Sequence, residues 1–171
     1  MAVLLVLSVL YFTYCNEMWN QLDALTGLLN QNSYLNRTAE MRRSGGLLIV
    51  FDVDNFKQVN DCYGHLQGDA CLAAIAACLK KAYACCGYCY RIGGDEFCVL
   101  LKNTAKEAAC AEEFLRQLEK KRRELTFLPT VSCGSAPLSG EDVVAVKDQA
   151  DRAMYHHKKA RKERAAAIVP E

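Results

Sequence analysis

Leu47 to Phe51 is an unbroken apolar run, which reads as a buried central strand. It ends in Asp52-Val53-Asp54. Two further apolar runs, Tyr88 to Ile92 and Phe97 to Leu101, flank Gly93-Gly94 and predict a β-hairpin with the glycines at its tip. Glycine there would supply the positive φ of a tight primed turn and leave room for a bulky anion near the backbone. Upstream, Met1 to Cys15 is almost wholly apolar, and the helical pattern continues through Asn16 to Leu22. Asn32 or Ser33 is the expected cap of a helix running to Arg43, which Ser44-Gly45-Gly46 ends. Asp52 to Asp69 reads as a long polar loop with spaced glycines. Asp69 to Ala84 then has the spacing of a helix packed on a sheet. Thr104 is the expected cap of an amphipathic helix from Ala105 to Leu125. Pro129 to Ala136 is another strand, where Gly134 implies close backbone approach. Ser139-Gly140 opens a last helix, Glu141 to Arg164, and Ala165 to Val169 is an edge strand or a frayed tail. The order β, α, β, β, α, β, α with a central hairpin predicts an α+β, ferredoxin-like layout. Its sheet is antiparallel or mixed, with helices on one side. The expected division is an apolar segment, 1–19, and a globular domain, 20–171.

Composition narrows the class. The chain has 171 residues, enough for one domain with a real core. A formal net charge of +1 gives no global basic field, so a nucleic acid polymer is not an expected partner. Residues Met1 to Cys15 carry no charge but fall short of the roughly 20 residues of a spanning helix, and they lack the basic start of a signal peptide. Two readings stay open for them: the trailing end of a membrane helix, or an apolar docking helix. Either would connect the domain to an upstream sensor or membrane segment outside this sequence. The ten cysteines fall largely inside apolar patterns, where they behave as small hydrophobes. Cys86-Gly-Tyr-Cys89 is a CxxC, but no second pair stands at zinc spacing. Reduced thiols in a cytoplasmic domain, tethered or not to the inner face of a membrane, are the expectation.

The candidate chemistry lies in the acids. Asp52 closes the first strand and Asp95 follows the hairpin tip. In a ferredoxin-like sheet these strands are neighbours, so both carboxylates can reach one point. Converging carboxylates beside an opening for phosphate imply a divalent metal, as in phosphoryl and nucleotidyl transfer. The plainer reading is a surface hairpin with solvated acids and an Asp52 that only forms a turn.

Gly93-Gly94-Asp95-Glu96-Phe97 is identified as the signature of GGDEF domains, which are diguanylate cyclases. Four other stretches resemble the family in register. They are Asp23-Ala24-Leu25-Thr26-Gly27-Leu28-Leu29-Asn30, Phe51 to Asp61 with Gly64-His65 and Gly68-Asp69, Val131 to Ala136, and Ala150 to Tyr155 with Lys158. The resemblance covers residues 20 to 164. It implies a nucleotidyl-cyclase, palm-type, mostly antiparallel sheet with surrounding helices. It implies that two GTP molecules condense to cyclic di-GMP and pyrophosphate in a homodimer. It implies magnesium, or manganese, held by Asp52, the Val53 carbonyl and Asp95. Asp95 is also the implied acceptor of the 3′-hydroxyl proton, with Glu96 as an assisting acid that strand alternation would point the other way. Asn60 and Asp69 stand where the family recognises guanine. A carboxylate accepts guanine's adjacent N–H donors and repels the acceptor that adenine presents there. His65 matches a substrate-contact position. Phe56, through its backbone, and Lys57 would meet the β- and γ-phosphates, and Lys158 and Lys162 would reach the γ-phosphate.

Two departures from the family bear on activity. Arg161-Lys162-Glu163 stands where glycine, arginine and asparagine are usual, and lysine replaces the charge but not the bidentate fork. Ala84-Cys85-Cys86-Gly87 stands where many members carry Arg-x-x-Asp, which binds product, so product feedback there is expected to be absent. The competing readings are a GTP-binding regulatory module with little or no activity, and another palm-type cyclase or polymerase using the same metals.

Overall fold

The computed structural model describes residues 2–140 and 142–167, with side chains described for 2–13, 20–140 and 142–159. Ten principal elements follow one another: α1 (Ala2–Trp19), α2 (Gln31–Ser44), β1 (Gly46–Val53), α3 (Phe56–Tyr63), α4 (His65–Tyr83), β2 (Gly87–Arg91), β3 (Glu96–Leu101), α5 (Glu107–Glu124), β4 (Val131–Leu138) and α6 (Val143–Ala167). The strands form one sheet in the order β2-β3-β1-β4, antiparallel at every pairing. The apolar run from Leu47 to Phe51 thus becomes a central strand, as its pattern predicts.

Because β1 is apolar at every position from Leu47 to Phe51, it needs cover on both faces, and it has it. Ile49, Phe51 and Val53 join Phe97, Val99 and Leu101 in a core with α4 and α5. Leu48 and Val50 join Cys98 and Leu100 in a second core with α2 and α6. The expectation of helices on one side is therefore corrected. In the larger core Phe51 meets Tyr83 and Phe114 edge-on, at centroid distances of 5.9 and 5.3 Å. Such pairs contribute about 0.5–1.5 kcal/mol beyond their area burial. In the smaller core α6 lies on β4 at Gly134, where a Cβ would run into the backbone of Ala150 and Met154. That is the close approach the lone strand glycine implies.

Several boundaries differ from expectation. The first helix stops at Trp19; Leu22, expected inside it, bridges Leu29 instead. Among the described residues no helix is long and apolar enough to cross a membrane. Asn30 caps α2, accepting from the Ser33 amide at 3.1 Å, in place of Asn32 or Ser33. Asn103, rather than Thr104, caps the single 3₁₀ turn that leads into α5. The stretch read as a long polar loop contains α3 and the first turn of α4, separated by Gly64 at φ 84°. Neither Gly93 nor Gly94 has positive φ, and a four-residue loop, 92–95, joins β2 to β3 instead of a two-residue primed turn. Ala165 to Ala167 belong to α6, which excludes a strand there; Glu141, Ile168 and Val169 lie outside the described residues.

The opening segment also closes on the sheet. Leu29 makes a parallel bridge to Tyr90, its amide donating to the Cys89 carbonyl at 3.1 Å while its carbonyl accepts from the Arg91 amide at 2.8 Å.

Candidate active site

The ladder between β1 and β3 ends by pairing Asp52 with Glu96. Directly paired residues on neighbouring strands share a face of the sheet. Glu96 therefore points with Asp52, toward α6, and not away from it. The expectation counted alternation from Asp95, but Asp95 lies in the loop before the ladder begins. Its carbonyl accepts from the Val53 amide at 3.3 Å, so the end of β1 and the glycine-acid loop touch through their backbones. Asp52, Val53, Asp95 and Glu96 are thus brought to one end of two adjacent strands. Gly94 has nothing within 4 Å of where a Cβ would stand, which leaves the loop open at this point.

Asp54 lies just beyond and is buried. It accepts from the hydroxyls of Thr130 at 2.6 Å and Ser132 at 2.8 Å. Lys158 reaches over from α6, its Nζ 2.7 Å from Asp52 Oδ1 and 3.2 Å from Asp54 Oδ1. Burial works against the Lys158 ammonium, but the two carboxylates outweigh it and hold its pKa above the usual lysine value. Sequence reasoning assigns Lys158 to a terminal phosphate; in the structure it sits on the acids. Lys162, with Arg161 and Glu163, lies on α6 with its side chain outside the described residues. A cleft of about 580 Å³ opens here, lined by Asp52, Asp151, Arg152, Tyr155 and Lys158 among others.

The donor set bears on what ion fits. Among the described residues no group of three or more His, Cys, Asp or Glu side chains converges on one ion position. The protein offers a few oxygens from Asp52, Asp95 or Glu96 and a carbonyl. That suits a hard cation such as magnesium, which keeps waters and takes phosphate oxygens from its substrate. It does not suit a closed structural site.

A second cluster forms where α3 meets α4. Gly68 is buried, and a Cβ on it would collide with the Asn60 side chain and crowd the Phe56 ring. The missing side chain lets Asn60 lie against α4, one residue from Asp69. Asp69 is exposed. It falls in the second turn of α4, which starts at His65, so Asp69 does not cap that helix. His65 and Lys57 are exposed at the first turns of α4 and α3, and Phe56 is half-buried. The first-turn amides of α3 follow β1 directly, with Asn55 in the left-handed region at φ 56°. Helix starts of this kind are suited to anions.

Sequence reasoning missed the residues that hold the glycine-acid loop. Arg91 donates from Nη2 to the Gly94 carbonyl at 2.7 Å and from Nη1 to Asp23 at 3.2 Å. Asp23 also accepts from the Thr26 amide, at 2.9 Å. Partial burial disfavours the Asp23 carboxylate, but the Thr26 hydrogen bonds and the Arg91 guanidinium prevail and hold its pKa below the usual value. An arginine two residues ahead of the glycines and an acid in the opening segment are the only signals of this tie in the sequence. Asp54, expected only as one of the acids that end the first strand, is joined to the site by Lys158.

Comparison with known proteins identifies the family. Residues 20–164 match the family described as diguanylate cyclase, GGDEF domain. The chain is 38% identical over 160 residues to diguanylate cyclase DgcP of Pseudomonas aeruginosa, covering 83% of this chain and 23% of that protein. It is 34% identical over 165 residues to cyclic di-GMP phosphodiesterase PdeR of Escherichia coli, covering 87% of this chain and 24% of that one. The chain thus spans about a quarter of the length of these relatives. Among solved structures, the coiled coil and GGDEF domain of DgcB from Caulobacter crescentus in complex with c-di-GMP superposes with a TM-score of 0.80. That match is 25% identical and covers 93% of this chain and 91% of that one.

Proposed function

The chain belongs to the GGDEF diguanylate cyclase family, and from that premise we propose that it condenses two GTP molecules to cyclic di-GMP, releasing two pyrophosphates, at the interface of a homodimer. The observation that carries this reading is the pairing of Asp52 with Glu96 beside Val53 and Asp95, which gathers acids at one strand end next to an unobstructed glycine.

Asp52, the Val53 carbonyl and Asp95 would hold magnesium, with Glu96 on the same face as Asp52. When bound, the metal supplies charge neutralisation for the triphosphate and acidifies the attacking hydroxyl. Asp95 accepts the proton of the 3′-hydroxyl. Asp69 and Asn60 accept and donate along the guanine edge, which selects GTP over ATP. Lys57 and the first-turn amides of α3 orient the β- and γ-phosphates, with Lys158 and Lys162 approaching from α6. The test is incubation of the chain, fused to a dimerising coiled coil, with GTP and magnesium, followed by separation of products. Cyclic di-GMP and pyrophosphate are expected. Turnover of ATP in place of GTP would overturn the base assignment.

A second reading, a GTP-binding regulatory module with little activity, is favoured by the ion pairs from Lys158 to Asp52 and Asp54. A lysine seated there competes with a cation for Asp52. Lys158→Ala separates the two. As a phosphate ligand, its loss raises KM for GTP about tenfold, near 1.4 kcal/mol. As a block on Asp52, its loss raises the rate.

A further inference from the structure

Nine cysteines lie among the residues with described side chains, and two of them meet. Cys86, in the turn before β2, and Cys110, in the first turns of α5, have their sulfur atoms 2.8 Å apart. The CxxC does not make this contact. Cys89 instead turns into the core, its Sγ 3.6 Å from the Leu79 carbonyl oxygen. Cys110 is buried, whereas Cys86 is half-buried and lines a cleft of about 360 Å³ shared with Cys85, Tyr88, Lys102 and Lys106. Among the described residues no cysteine-containing cluster of three has the makings of a metal site, so the contact is a two-thiol arrangement.

We propose that Cys86 and Cys110 are an oxidisable pair, reached through this cleft by a small disulfide bearing carboxylates, and that oxidation links the start of β2 to the start of α5. The two lysines of the cleft favour an acidic oxidant. In the first step the Cys86 thiolate attacks one sulfur of the incoming disulfide, forming a mixed disulfide and releasing one thiolate. In the second step Cys110 attacks the Cys86 sulfur, its proton leaves with the second thiol, and the Cys86–Cys110 bond closes. The pair loses two electrons and two protons, and the oxidant is reduced to two thiols. Little movement is needed, because the sulfurs already lie within an ångström of the bonded distance of about 2.05 Å. Burial, reinforced by the hydrogen bond with Cys110, pushes the Cys86 thiol up to about 12. The first attack is therefore the slow step and quickens as pH rises. The site stands apart from the acids at the end of β1, so its test does not depend on cyclase activity.

The experiment treats the reduced full chain with oxidised glutathione, traps remaining thiols with iodoacetamide and maps the peptides by mass. The expected result is one linked peptide joining Cys86 and Cys110, with two alkylatable thiols lost and restored by dithiothreitol. The Cys110→Ser variant should instead retain glutathione on Cys86. Glutathione on the exposed Cys62, Cys85 or Cys133 with Cys86 and Cys110 still alkylated would overturn the proposal, as would a Cys85–Cys86 link. Should the variant fail to fold, the wild-type peptide map decides alone.

Discussion

The two faces of the sheet are built for different work. Toward α4 and α5, β1 presents Ile49, Phe51 and Val53, apolar to the last residue and enclosed with aromatic rings. Toward α2 and α6 the same strand presents Leu48 and Val50 and then, one step on, Asp52 beside Glu96. One face holds the chain together along its whole length. The other does so only as far as Val50 and then gives way to carboxylates, a lysine and a cleft. Alternation along one strand thus puts a rigid core directly behind a charged site, and the core fixes where the acids point.

The strongest challenge to this division is a truncation on the apolar face. Phe51→Ala should cost about 3–5 kcal/mol of stability in denaturant unfolding, while the turnover of the molecules that remain folded is unchanged. A large loss of turnover per folded molecule would mean the faces are not separable. The mirror experiment is Asp52→Asn. It should lower cyclic di-GMP formation by about 10²–10³-fold, the scale of removing one preorganised electrostatic group. Its effect on unfolding should stay within about 1 kcal/mol, as for a partly exposed ion pair. Gly134→Ala should touch both faces' functions. The added methyl meets the α6 backbone and destabilises by about 1–3 kcal/mol, and by shifting Lys158 it raises KM for GTP. The smallest effect belongs to Asp23→Asn. The folded pKa of Asp23 lies below its unfolded value. Its contribution is therefore fully present above the ordinary carboxylate range and is lost as pH falls through the depressed value. Unfolding followed from neutral to acid pH should show a flatter acid limb in the variant, by up to about 1 kcal/mol.

The sequence was most legible where pattern and chemistry coincide. The run from Leu47 to Phe51 and the hairpin strands lie where their patterns put them, the strand around Gly134 is present but runs from Val131 to Leu138 and not from Pro129 to Ala136, and Asp52 and the Asp95 loop do end on neighbouring strands. It was least legible where a single residue resets the count. Gly64 splits one polar stretch into the end of α3 and the start of α4, and so moves Asp69 from a presumed helix start to a second turn. Asp95, held in the loop, starts the ladder at Glu96 and reverses which acid faces Asp52. The caps at Asn30 and Asn103 lay just upstream of the residues chosen, because a cap is identified by the helix it begins. The tie from Asp23 through Arg91 to Gly94 joins positions 68 residues apart, and no local pattern encodes a contact of that range.

The strap formed by Leu29 against Tyr90 has a consequence for solubility. β2 lies at a border of the sheet, and an uncovered border strand is a template on which another chain can add. Leu29 takes up the Cys89 carbonyl and the Arg91 amide on that outer rim, so the polypeptide caps itself before a neighbour can. Proline at position 29 would remove the amide that donates to Cys89 and leave the rim open, a change that should register first as concentration-dependent aggregation.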